Sequence, residues 1–246
     1  MPKTNLSFVM LNTVDSTNNY AMAKVHAGLS KHGNAYFSSH QTNGKGQRGK
    51  EWQTSVGVNI ALSIVLELTT LNATQQFQLS AAVALGCFDF FNKYAGDETT
   101  IKWPNDIFWR DRKAGGVLIE NIFHGKDWKF SIVGIGINVN QPYFDDALIN
   151  PVSLKQITGK IFDLTVLAKE LHLSVLKRVN QLEKKVFGVM LKEYNEHLFC
   201  LQKKVRLKKD TVVFDTNILG VTEHGQLITM DTTERLFDFG EVVWVL

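Results

Sequence analysis

A glycine-rich cationic loop, Gly44–Lys50, lies between two predicted strands and restricts the folds available to this chain. It matches the pattern G-x-G-x-x-G and is followed, about 20 residues on, by Glu67, as in a dinucleotide-binding fingerprint. Only the segment from Lys50 to Gly57 separates it from the next predicted strand. That leaves no room for the helix whose amino terminus would hold a pyrophosphate, so this fold is excluded. A Walker loop is excluded as well, because no G-K-[ST] closes the segment.

Two interpretations of the loop remain, a flexible surface loop and an anion-binding site. Glycines let backbone N–H groups approach an anion closely, and cationic side chains neutralise it. Three glycines alternate here with Lys45, Arg48 and Lys50, which favours the anion site.

The rest of the chain divides into a mixed first part and a β-rich end. In Val58–Leu68 large aliphatic residues alternate with small or polar ones, which predicts a strand. Similar patterns predict strands over residues 8–11, 34–39, 99–103, 106–110, 116–123 and 128–137, with helices over 20–28, 79–96, 164–179 and 189–199. From residue 204 onward, short β segments with turns at Asp210, Asn217, His224-Gly225 and Gly240 predict a small barrel. The predicted domains are residues 1–199 and 200–246.

Composition indicates a globular chain without a nucleic-acid footprint. Hydrophobic residues make up 44% and charged residues 21% of the 246 residues, so the chain can bury a core. The net charge of +3 is too small and too scattered for nucleic-acid binding, so no DNA partner is expected. Neither a signal peptide nor a membrane-length apolar run is present in the sequence, so we expect no membrane association and a cytoplasmic protein.

Two further motifs place lysines beside small or polar residues. In Lys102–Asp106 (KWPND), the lysine would meet phosphate and Asp106 would help to hold Mg²⁺ or a reacting amine, although Asn105-Asp106 alone is most often a turn. In Arg112–Gly116 (RKAGG), the lysine could reach into a pocket, but taken alone the segment is better explained as an ordinary charged hairpin turn.

Two segments offer backbone space or polar groups. Glycines within the strand segment Gly134–Asn138 (GIGIN) indicate a bulge, a close strand–helix contact, or a flat ligand against the backbone. Asp15–Asn18 (DSTN) is typical of a helix N-cap, and its hydroxyl and amide groups could also contact a polar ligand ring.

Together and in this order, the five motifs resemble the catalytic core of biotin–protein ligases, whose pattern also includes a tryptophan after the glycine loop, here Trp52. The resemblance spans essentially the whole chain. It implies an α+β fold with a central mixed β-sheet flanked by helices, like a class II synthetase core. It also implies a small C-terminal β-barrel like the Src-homology-3 fold.

The resemblance implies a two-step reaction in which biotin is activated by ATP as biotinyl-5′-adenylate and passed to a lysine of a carrier domain. The catalytic residues would be Lys113, Lys102 and Asp106. Biotin would be contacted by Ser16, Thr17, Asn18, Gln41, Gly44, Lys45, Gly46, Gln47, Lys113, Gly116 and Gly134. The nucleotide would be contacted by Arg48, Lys50, Trp52, Asn105 and Asn138. ATP and Mg²⁺ are the implied cofactors, and the metal ligands are left open.

The sequence departs from the family pattern in its loop. Arginine is more common in the family where this chain has Lys45 and Gln47, and neither residue offers the bidentate fork of arginine. Two outcomes for adenylate retention are therefore left open, a looser grip by the loop or an extra cation supplied from elsewhere. The expected partner is the biotin carboxyl carrier protein of acetyl-CoA carboxylase or of a related carboxylase. A homodimer paired through sheet edges is compatible with the pattern. Because the DSTN segment begins at Asp15, no repressor role is expected. The alternative function is a lipoate or octanoate transferase of the same superfamily.

Overall fold

The fold consists of two β-sheets and the helices packed on them. A computed structural model describes residues 7–53, 55–68, 70–183 and 187–245. Residues 1–6, part of the segment inspected for a signal peptide, lie outside the described residues. The first sheet contains β1 (Phe8–Leu11), β2 (Ala35–Ser38), β3 (Asn59–Glu67), β4 (Thr99–Lys102), β5 (Asp106–Trp109), β6 (Arg112–His124) and β7 (Asp127–Asn138). The helices are α1 (Thr17–His26), α2 (Gln76–Ala95), α3 (Leu154–Thr158), α4 (Leu164–Glu183) and α5 (Phe187–Glu196).

The first sheet is mixed, as expected from the resemblance. Its seven strands follow the order β1-β2-β3-β7-β6-β5-β4, and only β1 and β2 run parallel to each other. Helix α1 packs on one face, against β2, β3 and β7, and helices α2 and α4 pack on the other. The predicted mixed sheet flanked by helices is confirmed.

The sequence of β3 explains why this strand lies at the centre. Its large residues, such as Ile60, Leu62 and Ile64, are fully buried in the main core under α2 and α4. Burying each such side chain stabilises the fold by roughly 1.5–3 kcal/mol. Because side chains alternate between faces, the small residues Ala61 and Ser63 point to the side of α1. That face therefore has space and a hydroxyl group where the other face has aliphatic packing.

A second, antiparallel sheet covers the end of the chain. Its strands are β8 (Lys204–Lys209), β9 (Val212–Val221), β10 (Leu227–Met230), β11 (Glu234–Phe237) and β12 (Val243–Trp244), in the order β11-β10-β9-β8-β12. The expected small C-terminal β unit is therefore present. Tyr194 of α5 and Leu227 of β10 belong to one continuous buried cluster. Since the two parts share a core, the boundary between residues 199 and 200 stays a prediction.

One helix was missed and two local predictions were wrong, in each case because a local preference was overruled or too weak to detect. Helix α3 was not predicted; it has five residues and is held by a capping box between Ser153 and Gln156. Asn217 was predicted as a turn but lies within β9, where it pairs with Lys204 and Met230. The segment that begins at Arg112 is strand β6 and not the hairpin turn itself.

Candidate active site

The start of helix α1 directs three polar residues toward the sheet. Ser16, Thr17 and Asn18 are each at most 3% exposed. Among the described residues, Ser16 makes no side-chain capping hydrogen bond at this helix start. The backbone N–H and the hydroxyl of Thr17 instead donate to Oε1 of Gln41, at 2.8 and 3.1 Å. The sequence allowed either helix capping or ligand contact for this segment. The side chain of Ser16 does not cap the helix, and the three polar residues are buried beneath it.

Asn18 lies at the centre of a polar cluster that we define as Thr17, Asn18, Ser63 and Glu120; the first three are buried, and the side chain of Glu120 is 31% exposed. Nδ2 of Asn18 donates to Oε2 of Glu120 at 2.7 Å. Oγ of Ser63 lies 2.6 Å from Oδ1 of Asn18 and 2.8 Å from Oγ1 of Thr17. Sequence reasoning missed Ser63 and Glu120. The available signal was a polar residue at an inward position of a largely apolar strand.

Glycines in β6 and β7 make room for side chains of the site. A methyl group on Gly134 would lie 2.4 Å from Oδ1 of Asn18, and one on Gly136 would lie 2.3 Å from Cε2 of Trp52. One on Gly116 would lie 3.0 Å from an Asp106 oxygen. The register places Gly116 opposite Gly136. The GIGIN glycines are therefore contact points for α1 and for the segment after the cationic loop.

The cationic loop is closed at its base by backbone pairing. The Trp52 N–H donates to the Gly44 carbonyl at 2.9 Å, and the Gly46 N–H donates to the Lys50 carbonyl at 2.7 Å. Trp52 lies on Gly136, and its buried indole N–H has no hydrogen-bond partner among the described residues. Since buried donors are nearly always paired, this N–H is a candidate for ligand contact.

The side chains of the loop extend in three directions. Lys45 Nζ donates to Asn19 Oδ1 at 2.5 Å and lies 4.0 Å from Glu120. Gln47 Nε2 donates to the carbonyl of Val117 on β6 at 3.3 Å.

Arg48 reaches the second sheet. It donates to the carbonyls of Gly240 and Phe239 at 3.2 and 3.3 Å, and its guanidinium lies 4.9 Å from the centre of the Phe239 ring. The predicted nucleotide contact of Arg48 stays a prediction, since its guanidinium already holds this turn.

Lys113 and Asp106 form an ion pair beside Gly116. Lys113 Nζ donates to Asp106 Oδ2 at 2.6 Å, and both side chains are half-buried. Asn105 donates to the Val117 carbonyl, the same acceptor that Gln47 uses. The RKAGG motif opens β6, and the last residue of KWPND opens the neighbouring strand β5. Both motifs thus meet the loop near the carbonyl of Val117.

Lys102 lies nearby in an aromatic environment. Its ammonium is 4.7 Å from the centre of the Phe108 ring and 5.2 Å from that of Trp244 at the C-terminal end. Burial lowers the pKa of Lys102 to about 8; the nearby Lys113 also lowers it, and Asp106 opposes the shift. The site therefore includes a cation whose charge changes just above neutral pH.

Asn138 supports the site through the backbone. Its Nδ2 donates to the carbonyls of Val152 and Lys113, at 3.1 and 3.4 Å. Its predicted nucleotide contact stays a prediction.

An open cavity of about 340 Å³ lies on the side of Arg112 and Tyr143, and none of the predicted site residues line it.

In sum, the polar cluster, the glycine positions and the Lys113–Asp106 pair lie along one face of the first sheet. In the part of the chain that the structure describes, no group of three or more His, Cys, Asp or Glu residues is placed to bind a metal. No helix in that part is long and apolar enough to cross a membrane.

Curated proteins with similar sequences include several whose names describe a ligase. The chain is 26% identical to the bifunctional ligase/repressor BirA of Escherichia coli over 218 residues, covering 88% of this chain and 65% of BirA. It is 34% identical to the biotin–[acetyl-CoA-carboxylase] ligase of Paracoccus denitrificans over 161 residues, covering 63% of this chain and 65% of that ligase. The chain thus spans about two thirds of the length of these curated relatives.

The fold is also found among solved structures. The structure of the biotin protein ligase from Aquifex aeolicus in complex with biotin and ATP aligns with a TM-score of 0.81 at 23% identity, covering 96% of this chain and 97% of that one. Residues 10–138, more than half of the chain, match the model of the biotin/lipoate A/B protein ligase family. The chain therefore belongs to the biotin/lipoate A/B protein ligase family.

Proposed function

We propose that this protein is an ATP-dependent biotin–protein ligase. The observation that carries the proposal is the pairing of two centres on one sheet face. Lys113 and Asp106 meet beside Gly116, and Asn18 meets Glu120 farther along β6. Two to four residues along a strand correspond to about 7–13 Å. That spacing suits a small acid whose carboxylate lies at Lys113 and whose polar ring lies at the polar cluster.

In the first step, a biotin carboxylate oxygen attacks the α-phosphorus of ATP. An O–P bond forms, the bond to the β-phosphate oxygen breaks, and diphosphate leaves. Two anions must approach each other, so a cation between them lowers the barrier. Lys113 is assigned this role because Asp106 holds its ammonium beside Gly116. Lys102 adds a second positive charge at the same centre while it is protonated.

In the second step, a neutral carrier lysine attacks the acyl carbon of the adenylate. An amide bond forms, AMP leaves with the electrons of the broken acyl–oxygen bond, and the amine nitrogen loses a proton. The incoming lysine must also lose one proton before it attacks. Asp106 is assigned as the group that orients this amine, because it is the carboxylate in contact with Lys113.

Mg²⁺ would enter with ATP. Magnesium in such sites is usually bound by one or two carboxylates together with substrate phosphates. The carboxylate of Asp106, which lies beside Lys113 at this centre, would fit that arrangement. The charge of the bound ion would offset the negative charge that develops on the phosphates.

The polar cluster favours biotin over lipoate or octanoate, which have no N–H groups for Asn18 and Thr17 to bind. The names of the relatives from Paracoccus denitrificans and Aquifex aeolicus support the same choice. A biotin carboxyl carrier protein of a biotin-dependent carboxylase is the proposed acceptor.

The test is direct labelling. The protein is incubated with Mg-ATP, a biotin carboxyl carrier domain, and either biotin, lipoate or octanoate, and the carrier is analysed by mass spectrometry. We expect a mass increase of one biotinyl group, only with biotin and only on a carrier that retains its acceptor lysine. Labelling by octanoate or lipoate in preference to biotin would assign the alternative function, and no labelling by any acid would reject ligase activity.

A further inference from the structure

The side chain of Glu120 has no role in the reaction outlined above, yet it is hydrogen-bonded into the polar cluster. It projects from β6 on the face that carries Gly116, and its Oε2 lies 2.7 Å from Nδ2 of Asn18. At its other side it lies 4.0 Å from Lys45 of the cationic loop. A carboxylate in a pocket for an acid repels its ligand unless it serves another purpose.

The hydrogen bonds of the cluster can run in either of two directions. An ionised carboxylate only accepts, so the end of Asn18 that faces Glu120 must be the NH₂ group. Oδ1 then faces Ser63, whose single proton goes to it, while the hydroxyl of Thr17 donates to Oε1 of Gln41.

With the carboxamide of Asn18 reversed, Asn18 and Ser63 would exchange roles. The NH₂ group would donate to Ser63, and the hydroxyl of Ser63 would donate to Oγ1 of Thr17, 2.8 Å away, while Thr17 would still donate to Gln41. Both directions give each hydroxyl proton an acceptor. Glu120 is the member of the cluster that tolerates only one of them, and the carbonyl of Leu118, 3.5 Å from Nδ2, accepts weakly from the same nitrogen.

We propose that Glu120 is a positioning residue that fixes the hydrogen-bond direction of Asn18, and thereby makes the ring end of the pocket specific for a ligand with N–H donors. In the fixed direction Asn18 keeps a free lone pair on Oδ1, which accepts an N–H. Gly134 leaves room for the carboxamide in this position, because a methyl group there would lie 2.4 Å from Oδ1. A cyclic urea has such N–H groups. This inference rests on the proposed function.

The experiment compares Glu120→Gln with wild type in biotin-dependent exchange of diphosphate with ATP. Glutamine has the size of glutamate, but its amide can donate to Oδ1 of Asn18 and so permits the reversed direction. We expect the KM for biotin to rise about tenfold to a hundredfold, the range for leaving a buried polar group unpaired. The KM for ATP and kcat at saturating biotin should stay within about twofold.

The exchanged pair Asn18→Asp with Glu120→Gln is the matched control. It keeps the charge and the hydrogen bond, and it again presents an acceptor to the ligand. We expect this double variant to restore the KM for biotin to within about threefold of wild type, whereas Asn18→Asp alone places two carboxylates together and should bind poorly. If Glu120→Gln fails to fold, the comparison of Asn18→Asp with the double variant carries the same test.

The outcomes separate the two proposals. An active wild type with an unchanged KM for biotin in Glu120→Gln would overturn the role of Glu120 alone. An equal loss in KM for biotin, KM for ATP and melting temperature, without recovery in the double variant, would assign Glu120 a merely structural role. A wild type with no biotin-dependent exchange would overturn the proposed function and this inference with it.

Discussion

Replacing Gly136 with alanine would place a methyl group inside the volume of the Trp52 ring. The new carbon would lie 2.3 Å from Cε2 and 2.6 Å from Cζ2 of the indole. Carbon atoms attract each other at about 3.5–4.0 Å, so the ring must retreat by about 1 Å. The backbone of Trp52 is tied to Gly44 by a 2.9 Å hydrogen bond, and this movement would therefore pull on the base of the cationic loop.

The magnitude follows from the cost of overpacking. An added methyl group in a well-packed contact typically costs about 1–3 kcal/mol, which corresponds to about a 5- to 150-fold change in an equilibrium constant. We expect Gly136→Ala to lower kcat/KM for biotin-dependent diphosphate exchange by about 10- to 100-fold. The melting temperature should fall little, because an opened loop relieves the contact without unfolding the sheet.

Two variants make the reasoning testable. Gly188→Ala adds a methyl group to α5 where no heavy atom lies within 4 Å, so its kcat/KM should equal that of wild type. Trp52→Phe removes part of the clashing ring and should recover a portion of the loss when combined with Gly136→Ala, a coupling that a double-mutant cycle measures. An unchanged kcat/KM in Gly136→Ala would refute the contact between the strand and the loop as a determinant of activity.

Three further predictions concern the charged residues. Lys113→Ala should abolish biotin labelling of the carrier. The circular dichroism spectrum should stay unchanged, because a partly exposed ion pair contributes little to stability. Near-normal labelling would remove Lys113 from the mechanism. Gln47→Arg should reduce biotinylation of bystander lysines, because arginine would add a further cation to the loop that covers the adenylate. Mass spectrometry of added albumin measures this labelling. A wild-type protein that labels only the carrier would contradict loose retention of the adenylate. The pKa of Lys102 is lowered to about 8, so its positive charge is lost as pH rises through that value. The kcat/KM for ATP should therefore fall above about pH 8, and Lys102→Arg should move this alkaline limb upward; a flat profile from pH 7 to 9.5 would argue against Lys102 as the phosphate-binding cation.

Most of the strands and long helices could be predicted because their patterns are local. The alternation of large and small residues in β3 and the apolar residues of α2 show the period of a strand and of a helix directly in the sequence. Gly96 ends α2 as expected. The five residues of α3 are too few for a period to show, and they depend on the capping box of Ser153. The strand position of Asn217 is set by pairing with residues 204 and 230, which outweighs its own turn preference.

The candidate site was only partly predictable for a related reason. Lys113 and Asp106 belong to recognisable motifs on adjacent strands, so the sequence places them close together. Glu120 and Ser63 contact Asn18 although they lie 102 and 45 positions away in the sequence. No local sequence pattern predicts such a contact. The side chains of Lys45 and Arg48 could not be oriented from sequence, because their partners lie on α1 and on the second sheet.

The contact between Arg48 and the turn at Phe239 and Gly240 has a consequence for the order of assembly. Its two sides are 192 positions apart, and the turn comes long after Asn138, where the last strand of the first sheet ends. During synthesis the amino-terminal part emerges first. A nascent chain can thus build the whole first sheet while the cationic loop still lacks the carbonyls that hold Arg48. The loop acquires this anchor only after residue 240 has been made, so chains cut short near residue 238 would keep the first sheet and lose the anchor.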